Sequence, residues 1–314
     1  MRILLRLALL TLAVTFALVG VEYAARFSLR NVKTSGNATD FITAHNPAPP
    51  IVNNSLGFRE REIPPKQRDR YRIAVIGDSF TWGQGVEVEE RFSNRLESFL
   101  GPAYEVFNFG QPGNNLREHL DVLRQALPTS PDFVLLQLYI NDFETAAMQR
   151  PQPRPLLPRE TDRSFRRRFV TYDMLSKQWA LLQETVGLCE SYPGYMSRNL
   201  LDANAPNAVE TMALLHRFID ETAAAGVPTG FVIFPAYDAM GPRGAHYPFA
   251  YLHDRVKALC VDTKTPCLDL LPVFSQVPDP RTLWVSPFDA HPSTATHRRA
   301  ATAIVTHFAT AWHR

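Results

Sequence analysis

Ser79 stands in the run Gly77-Asp78-Ser79-Phe80, directly after an apolar strand-like stretch, Tyr71-Arg72-Ile73-Ala74-Val75-Ile76. A serine at a strand-to-helix corner presents its hydroxyl as a nucleophile, provided a base takes the proton. Gly110 follows Ser79 by 31 residues, and Asn141 follows Gly110 by 31. One strand–helix–strand unit takes about 30 residues. Ser79, Gly110 and Asn141 therefore fall on the same edge of a parallel sheet, beyond the carboxyl ends of its strands, where open sheets bind ligands. Asp289 and His291 lie near the far end of the chain.

This set can run acyl transfer. When a serine oxygen attacks an acyl carbon, the carbonyl oxygen becomes negative and donors must meet it. The backbone N–H groups of Ser79 and Gly110 and the side-chain amide of Asn141 are the candidates, and Gly110 has no side chain to block backbone approach. His291 is the candidate base. Side chains two apart on an extended chain share a side. Asp289 can thus hold one imidazole nitrogen, fix the tautomer and stabilise the imidazolium. Pro292 and Ser293 open the final helix, which anchors the loop.

Positioning these groups is the job of an alternating chain. Strand-like runs at 72–77, 104–109, 132–139, 229–234 and 266–271 are apolar on both faces, as buried parallel strands require. Helical patterns fill the gaps at 87–100, 115–127, 207–225 and 248–260, and residues 293–312 end the chain with an apolar stripe through Ala300, Ala301, Ile304, Val305, Phe308 and Trp312. The pattern predicts an α/β fold, a doubly wound parallel sheet of about five strands with helices on both faces. Residues 143–200 interrupt it as an insertion with a proline-rich start (Pro151, Pro153, Pro155), an arginine cluster (Arg163, Arg166, Arg167, Arg168) and a helical stretch at 173–187. The arginines read as a solvated helix face, or as a contact with anionic lipid head groups or an acidic polymer.

The blocks Gly77-Asp78-Ser79-Phe80-Thr81-Trp82-Gly83, Asn108-Phe109-Gly110, Asn141-Asp142 and Asp289-Ala290-His291-Pro292 resemble, in order and spacing, those of the SGNH or GDSL-type hydrolases. The resemblance covers roughly 71–314, with the insertion unmatched. It implies a flavodoxin-like fold, Ser79 as nucleophile, Ser79, Gly110 and Asn141 in an oxyanion hole, and His291 with Asp289 completing a triad. The chain departs from the family twice: Tyr139 stands where the third block usually has glycine, and Phe288 where the last block usually has aspartate. Family resemblance and location imply a serine esterase removing O-acyl groups, acetyl first among them, from a carbohydrate outside the cytoplasm. An O-acetyltransferase working beside polysaccharide-synthesis machinery uses the same acyl-enzyme, and a non-catalytic binding protein on the same fold is the third reading.

Other classes fit poorly. A net charge of +2 across 314 residues gives no basic footprint for nucleic acid. Residues Gly77 to Gly83 lack phosphate-loop spacing and its lysine, and Gly83-Gln84-Gly85 lacks the third glycine of a dinucleotide loop. No metal or other cofactor is implied, since Asp289 and His291 have too few partners for a metal site. His119, His216, His246, His253, His297, His307 and His313 read as surface or packing residues, and Asp78 and Asp142 as turn formers. Cys260 and Cys267 flank a short loop that a disulfide can close in an oxidising compartment, the alternative being two free thiols.

Residues 7–21 carry no charge and follow Arg2 and Arg6. At about 1.5 Å per residue they span roughly 22 Å, and residues 22–25 can extend the helix toward bilayer thickness. A signal peptide is the rival, but Tyr23-Ala24-Ala25 makes a poor cleavage site. The expectation is an inner-membrane anchor at 1–25, a linker and docking segment at 26–70, and a periplasmic or extracytoplasmic catalytic domain at 71–314. Glu22, at the outer edge, either solvates the helix end or pairs with another membrane helix.

Overall fold

The computed structural model describes residues 2–29, 52–287 and 289–312. Residues 30–51 of the linker, including Asn46 to Pro50, and also Phe288 and His313 lie outside the described residues. In chain order the first elements are α1 (Arg2–Leu29), β1 (Tyr71–Gly77), α2 (Ser79–Trp82), α3 (Phe92–Leu100), β2 (Tyr104–Gly110), α4 (Leu116–Ala126) and β3 (Phe133–Leu138). Then come α5 (Arg159–Arg168), α6 (Val170–Thr185), α7 (Tyr192–Leu200), α8 (Pro206–Ala224), β4 (Thr229–Ile233), α9 (Ala250–Thr263) and β5 (Cys267–Asp269). The chain ends with α10 (Leu271–Phe274), the β6–β7 hairpin (Trp284–Ser286 and Asp289–Pro292) and α11 (Thr294–Phe308).

Contacts divide the chain into two compact units, Met1–Pro49 with Pro151–Ser191, and Pro50–Arg150 with Tyr192–Arg314. The first unit gathers α1, α5 and α6. Its part of the insertion, 151–191, is narrower than the 143–200 expected from sequence. α1 runs four residues past the expected anchor boundary, and its stretch Leu9–Leu29, with mean hydropathy 1.5, is long and apolar enough to cross a membrane. Glu22 pairs with a neighbouring helix: its carboxylate accepts from the Val170 and Thr171 N–H groups, each at 3.0 Å, and so caps α6.

In the second unit five described strands form one parallel sheet in the order β2-β1-β3-β4-β5. Strand order reverses between β1 and β3, the switch point at which such sheets open a crevice. Alternate residues of each strand enter opposite cores. Ala74 and Ile76 pack with Leu120 and Leu123 of α4 and Leu215 and Phe218 of α8. Ile73 and Val75 pack with Phe92 and Leu96 of α3 and Ala300, Ile304 and Phe308 of α11. Helices on both faces explain why the strands read as continuous apolar runs rather than alternating ones.

Local chemistry sets the ends. Asn115 and Glu118 form a capping box that starts α4, and Ser293 Oγ accepts the Thr296 N–H at the start of α11. The segment before β1 docks on this unit. The Arg59 guanidinium lies 4.6 Å over the Trp82 ring, and Glu60 forms a buried ion pair with Arg91 at 3.2 Å. Cys260 and Cys267 are free thiols, and contact with Cys260, followed by burial, pushes the Cys267 thiol up.

His297 belongs to this interior and not to the surface. Its Nδ1 accepts the Phe92 N–H at 3.2 Å. Burial pulls the imidazole down to about 3, with Arg91 and His291 adding to the fall. A histidine depressed in the folded state binds its proton only after unfolding, so stability is lost as pH falls from about 6.5 toward 3. By about pH 5 the loss from this group is roughly 2 kcal/mol. Urea unfolding at about pH 7.5 and 5 should show the native chain losing that much more than His297→Gln; parallel losses in both proteins would refute it.

Candidate active site

Ser79 opens α2, in a turn held by its neighbours. Asp78 caps it, its Oδ1 accepting the Phe80 N–H at 2.9 Å. The Gly83 and Gln84 N–H groups both return to the Ser79 carbonyl at 3.0 Å, with Gly83 at φ +79°, a left-handed value that suits glycine. Gln137 of β3 holds the turn from the side. Its Oε1 accepts from the Asp78 N–H (3.3 Å), the Thr81 N–H (3.1 Å) and the Thr81 hydroxyl (2.7 Å). The fit requires glycine at 77, where a Cβ would come within 2.3 Å of Thr81 Oγ1.

His291 arrives on β7. Its Nε2 lies 2.9 Å from Ser79 Oγ, and its Nδ1 lies 2.5 Å from Asp289 Oδ1. The same Asp289 oxygen accepts the His291 N–H at 3.1 Å, which fixes the two-residue spacing. The hairpin is tied to α11: Thr296 Oγ1 donates to the Leu283 carbonyl at 2.8 Å, as does the Ser293 N–H. The Phe80 ring meets the imidazole edge-on at 5.4 Å. Serine, imidazole and carboxylate therefore stand in one line, although 212 positions separate Ser79 from His291.

Asn141 sits in the single turn Ile140–Phe143 just past β3. Its Oδ1 is buried without a partner. The following residue fixes that turn: Asp142 Oδ2 accepts the Tyr139 N–H at 2.6 Å, and Oδ1 meets His119 Nε2 at 2.9 Å. Both side chains are buried. Burial raises the Asp142 carboxyl to about 6 against the opposing pull of His119. Burial works downward on His119, yet Asp142, with Asp78 and Glu118, lifts the imidazole above its ordinary value. Such a pair titrates as one unit. Asp78 itself is raised, chiefly by burial.

Gly110 lies on the sheet edge its spacing suggested, level with Gly77 at the end of β1. Its N–H donates to Asn108 Oδ1 at 2.9 Å and is not free for an oxyanion. Its lack of a side chain serves packing, since a Cβ there would lie 2.2 Å from the Trp82 nitrogen. Asn108 also donates through Nδ2 to the Thr81 carbonyl (2.5 Å) and Ser93 Oγ (2.7 Å), so it braces the serine turn from below. Sequence reasoning missed Gln137, took Asn108 only as part of a block and read His119 only as a surface or packing residue. The one available signal was Gln137 itself, a lone amide inside Phe133-Val134-Leu135-Leu136-Gln137-Leu138.

Residues 75–299 match the GDSL-like Lipase/Acylhydrolase family, and the chain belongs to that family. A curated relative, an acetylxylan esterase from Xylanibacter ruminicola, is 31% identical over 96 residues, which is 28% of this chain and 20% of the relative. The match thus spans about a fifth of that protein's length. Among solved structures, a lipolytic G-D-S-L family member from Veillonella parvula is 12% identical, with 76% and 98% of the two chains covered and a TM-score of 0.47. The aryl esterase of M. smegmatis is 14% identical, with 76% and 99% covered and a TM-score of 0.45.

Replacing Gln137 by Leu keeps the volume and removes the acceptor of two buried N–H groups and a hydroxyl. A cost of about 2–4 kcal/mol is expected, since each buried donor left unmade costs roughly 1–3. A urea midpoint equal to that of the native chain would show that the turn holds without it.

Proposed function

We propose that the protein is a serine esterase that removes O-acetyl groups from a carbohydrate outside the cytoplasm. The observation that carries the reading is the continuous chain from Ser79 Oγ through His291 to Asp289. In this reading His291 Nε2 takes the Ser79 proton as Oγ bonds to the acyl carbon. The proton then passes to the sugar oxygen as the ester bond breaks, and the acyl group stays on Ser79. Water, deprotonated by the same imidazole, attacks that ester and releases acetate. Asp289 holds the imidazole and stabilises its charged form.

The oxyanion donors follow from which N–H groups are already taken. Between β2 and α4 the Gly110 N–H goes to Asn108, Gln111 to the Gly77 carbonyl, Asn114 to the Gln111 carbonyl and Asn115 to Glu118. Pro112 has none. Gly113, at φ +82°, keeps the amide that no described group claims. We assign the oxyanion hole to the N–H groups of Ser79 and Gly113 and the side-chain amide of Asn141, with Gly113 replacing Gly110.

Two observations favour a short acyl group on a sugar. Tyr139 stands where the family's third block has glycine, and its ring packs on Phe80 with centroids 4.2 Å apart, filling space beside the serine turn. The matched stretch of the Xylanibacter ruminicola protein belongs to an acetylxylan esterase. The placement outside the cytoplasm rests on α1, read as an inner-membrane anchor. Its Glu22 bonds the start of α6 and its Arg26 the end of α5, which ties α1 to these helices and favours an anchor over a removable leader.

A covalent serine probe should label the native chain and not Ser79→Ala; a folded native protein that stays unlabelled would leave only the binding reading. On a small acetyl ester, kcat should fall about 10³-fold or more in His291→Ala and about 10²–10³-fold in Asn141→Ala. Acetylated polysaccharide with an added sugar acceptor should yield free acetate; transfer to the acceptor instead would identify the transferase. Tyr139→Gly should raise the butyryl-to-acetyl ratio of kcat/KM about tenfold. An unchanged ratio would remove Tyr139 as the limit on acyl length.

A further inference from the structure

The unit formed by Met1–Pro49 with Pro151–Ser191 is built the wrong way round for water. On α6 the buried residues are Val170, Asp173 and Gln183, and on α5 the buried residue is Asp162. These polar groups are satisfied inside the unit. Asp173 pairs with Arg166 and Lys177, each at 2.9 Å, and Asp162 accepts the Tyr172 hydroxyl at 2.9 Å. Gln183 bonds both the N–H and the carbonyl of Arg154 at 2.9 Å. The large apolar side chains point out instead: Leu175, Leu181 and Val186 are 57–58% exposed, Leu182 is 49% exposed and Leu188 is 74% exposed. A helix of a water-soluble domain buries its apolar stripe and solvates its polar face. Here the assignment is reversed, so the outer face of α6 needs an apolar partner.

The start of α6 lies where the apolar stretch of α1 ends. Glu22 caps α6, Arg26 donates to the Arg168 carbonyl at 2.5 Å, and Leu29 packs on Val170. At the same junction Arg163, Arg167 and Arg168 are exposed and have no acidic partner among the described residues. A second copy or another membrane helix would cover the leucines but would leave these cations unanswered. A phospholipid surface supplies acyl chains and phosphates together.

We propose that α6 and the turn after it, residues 174–188, lie in the boundary between head groups and acyl chains of an anionic bilayer. Arg163, Arg167 and Arg168 hold lipid phosphates there. This rests on the reading of α1 as an anchor. The membrane contact then has two parts: a spanning helix and a surface helix locked to its outer end by Glu22.

The full-length protein is reconstituted into discs of phosphatidylcholine, with or without phosphatidylglycerol, each carrying a lipid with a diazirine in its acyl chain. After irradiation, adducts are mapped by peptide. Adducts are expected on α1 and on 174–188, and those on 174–188 should be lost in Leu181→Glu/Leu182→Glu while α1 remains labelled. The variant Arg163→Gln/Arg167→Gln/Arg168→Gln should lose any gain in 174–188 labelling that phosphatidylglycerol gives the native chain. Retained turnover of a small acetyl ester checks that both variants are folded. Labelling of α1 with none on 174–188 in either lipid would overturn the proposal and keep the anchor. Labelling of neither segment would overturn both. A phosphatidylglycerol gain that survives the arginine variant would overturn the phosphate contacts.

Discussion

The site depends on holding a sharp turn at the edge of a parallel sheet. Residues 77–83 must leave β1, lift a hydroxyl to the rim and re-enter a helical turn within a few positions. A buried turn of that kind leaves N–H groups without ladder partners, and each such group needs one. Gln137 answers two of them and a hydroxyl with a single oxygen. Asn108 ties the far side of the same turn to β2. The positions of Ser79 and Gln137 are thus set together, because β1 and β3 are neighbours in the sheet.

Beneath the turn the chain buries full charges. Glu60 meets Arg91 and also accepts the Asn108 N–H at 3.0 Å, so one carboxylate braces the docking segment, α3 and the asparagine under the serine. Arg72 pairs with Glu105 across the first two strands at 3.0 Å. His119 and Asp142 do the same beneath Asn141. Pairs like these add little net stability, since desolvation offsets their attraction, but breaking one leaves an uncompensated charge. Their value here is positional: Glu60–Arg91 and His119–Asp142 hold the segments around the serine turn and Asn141, and Arg72–Glu105 joins β1 and β2 at their amino ends.

Much of this was legible in the residues alone. Apolar runs on both faces marked all five strands, and Ser293 marked the start of the last helix because capping is local. Asp289 could be paired with His291 because residues two apart on an extended chain share a side, and Ser79 and Asn141 could be set on one sheet edge because a crossover unit has a nearly constant length. Gly110 was misread for the same reason. Equal spacing placed it on the right edge, but spacing does not say where its N–H points, and Asn108 two residues earlier takes it. Gln137, His119 and Glu60 act through contacts 23 or more residues away in sequence, and no local pattern records such pairing. The inverted burial of α6 was hidden by its shared edge with α1, since a run such as Trp179-Ala180-Leu181-Leu182 reads the same whether its leucines face a core or a lipid.

The line from Ser79 through His291 to Asp289 joins the two ends of the larger unit, and those ends are held unequally. Ser79 rests on β1, which lies inside the sheet between β2 and β3. His291 rests on a two-stranded hairpin outside the sheet, kept in place by Ser293, Thr296 and the Leu283 carbonyl. Elements with few ladder bonds open at lower free energy than central strands. The imidazole thus sits on the more weakly held of the two, and the Phe80 ring is a contact that meets it from the serine side. Asp289 accepts from both the ring and the backbone of His291, so a single carboxylate orients the base and stiffens the strand that carries it. Placing aspartate two residues before histidine, and not three, lets a short strand do both.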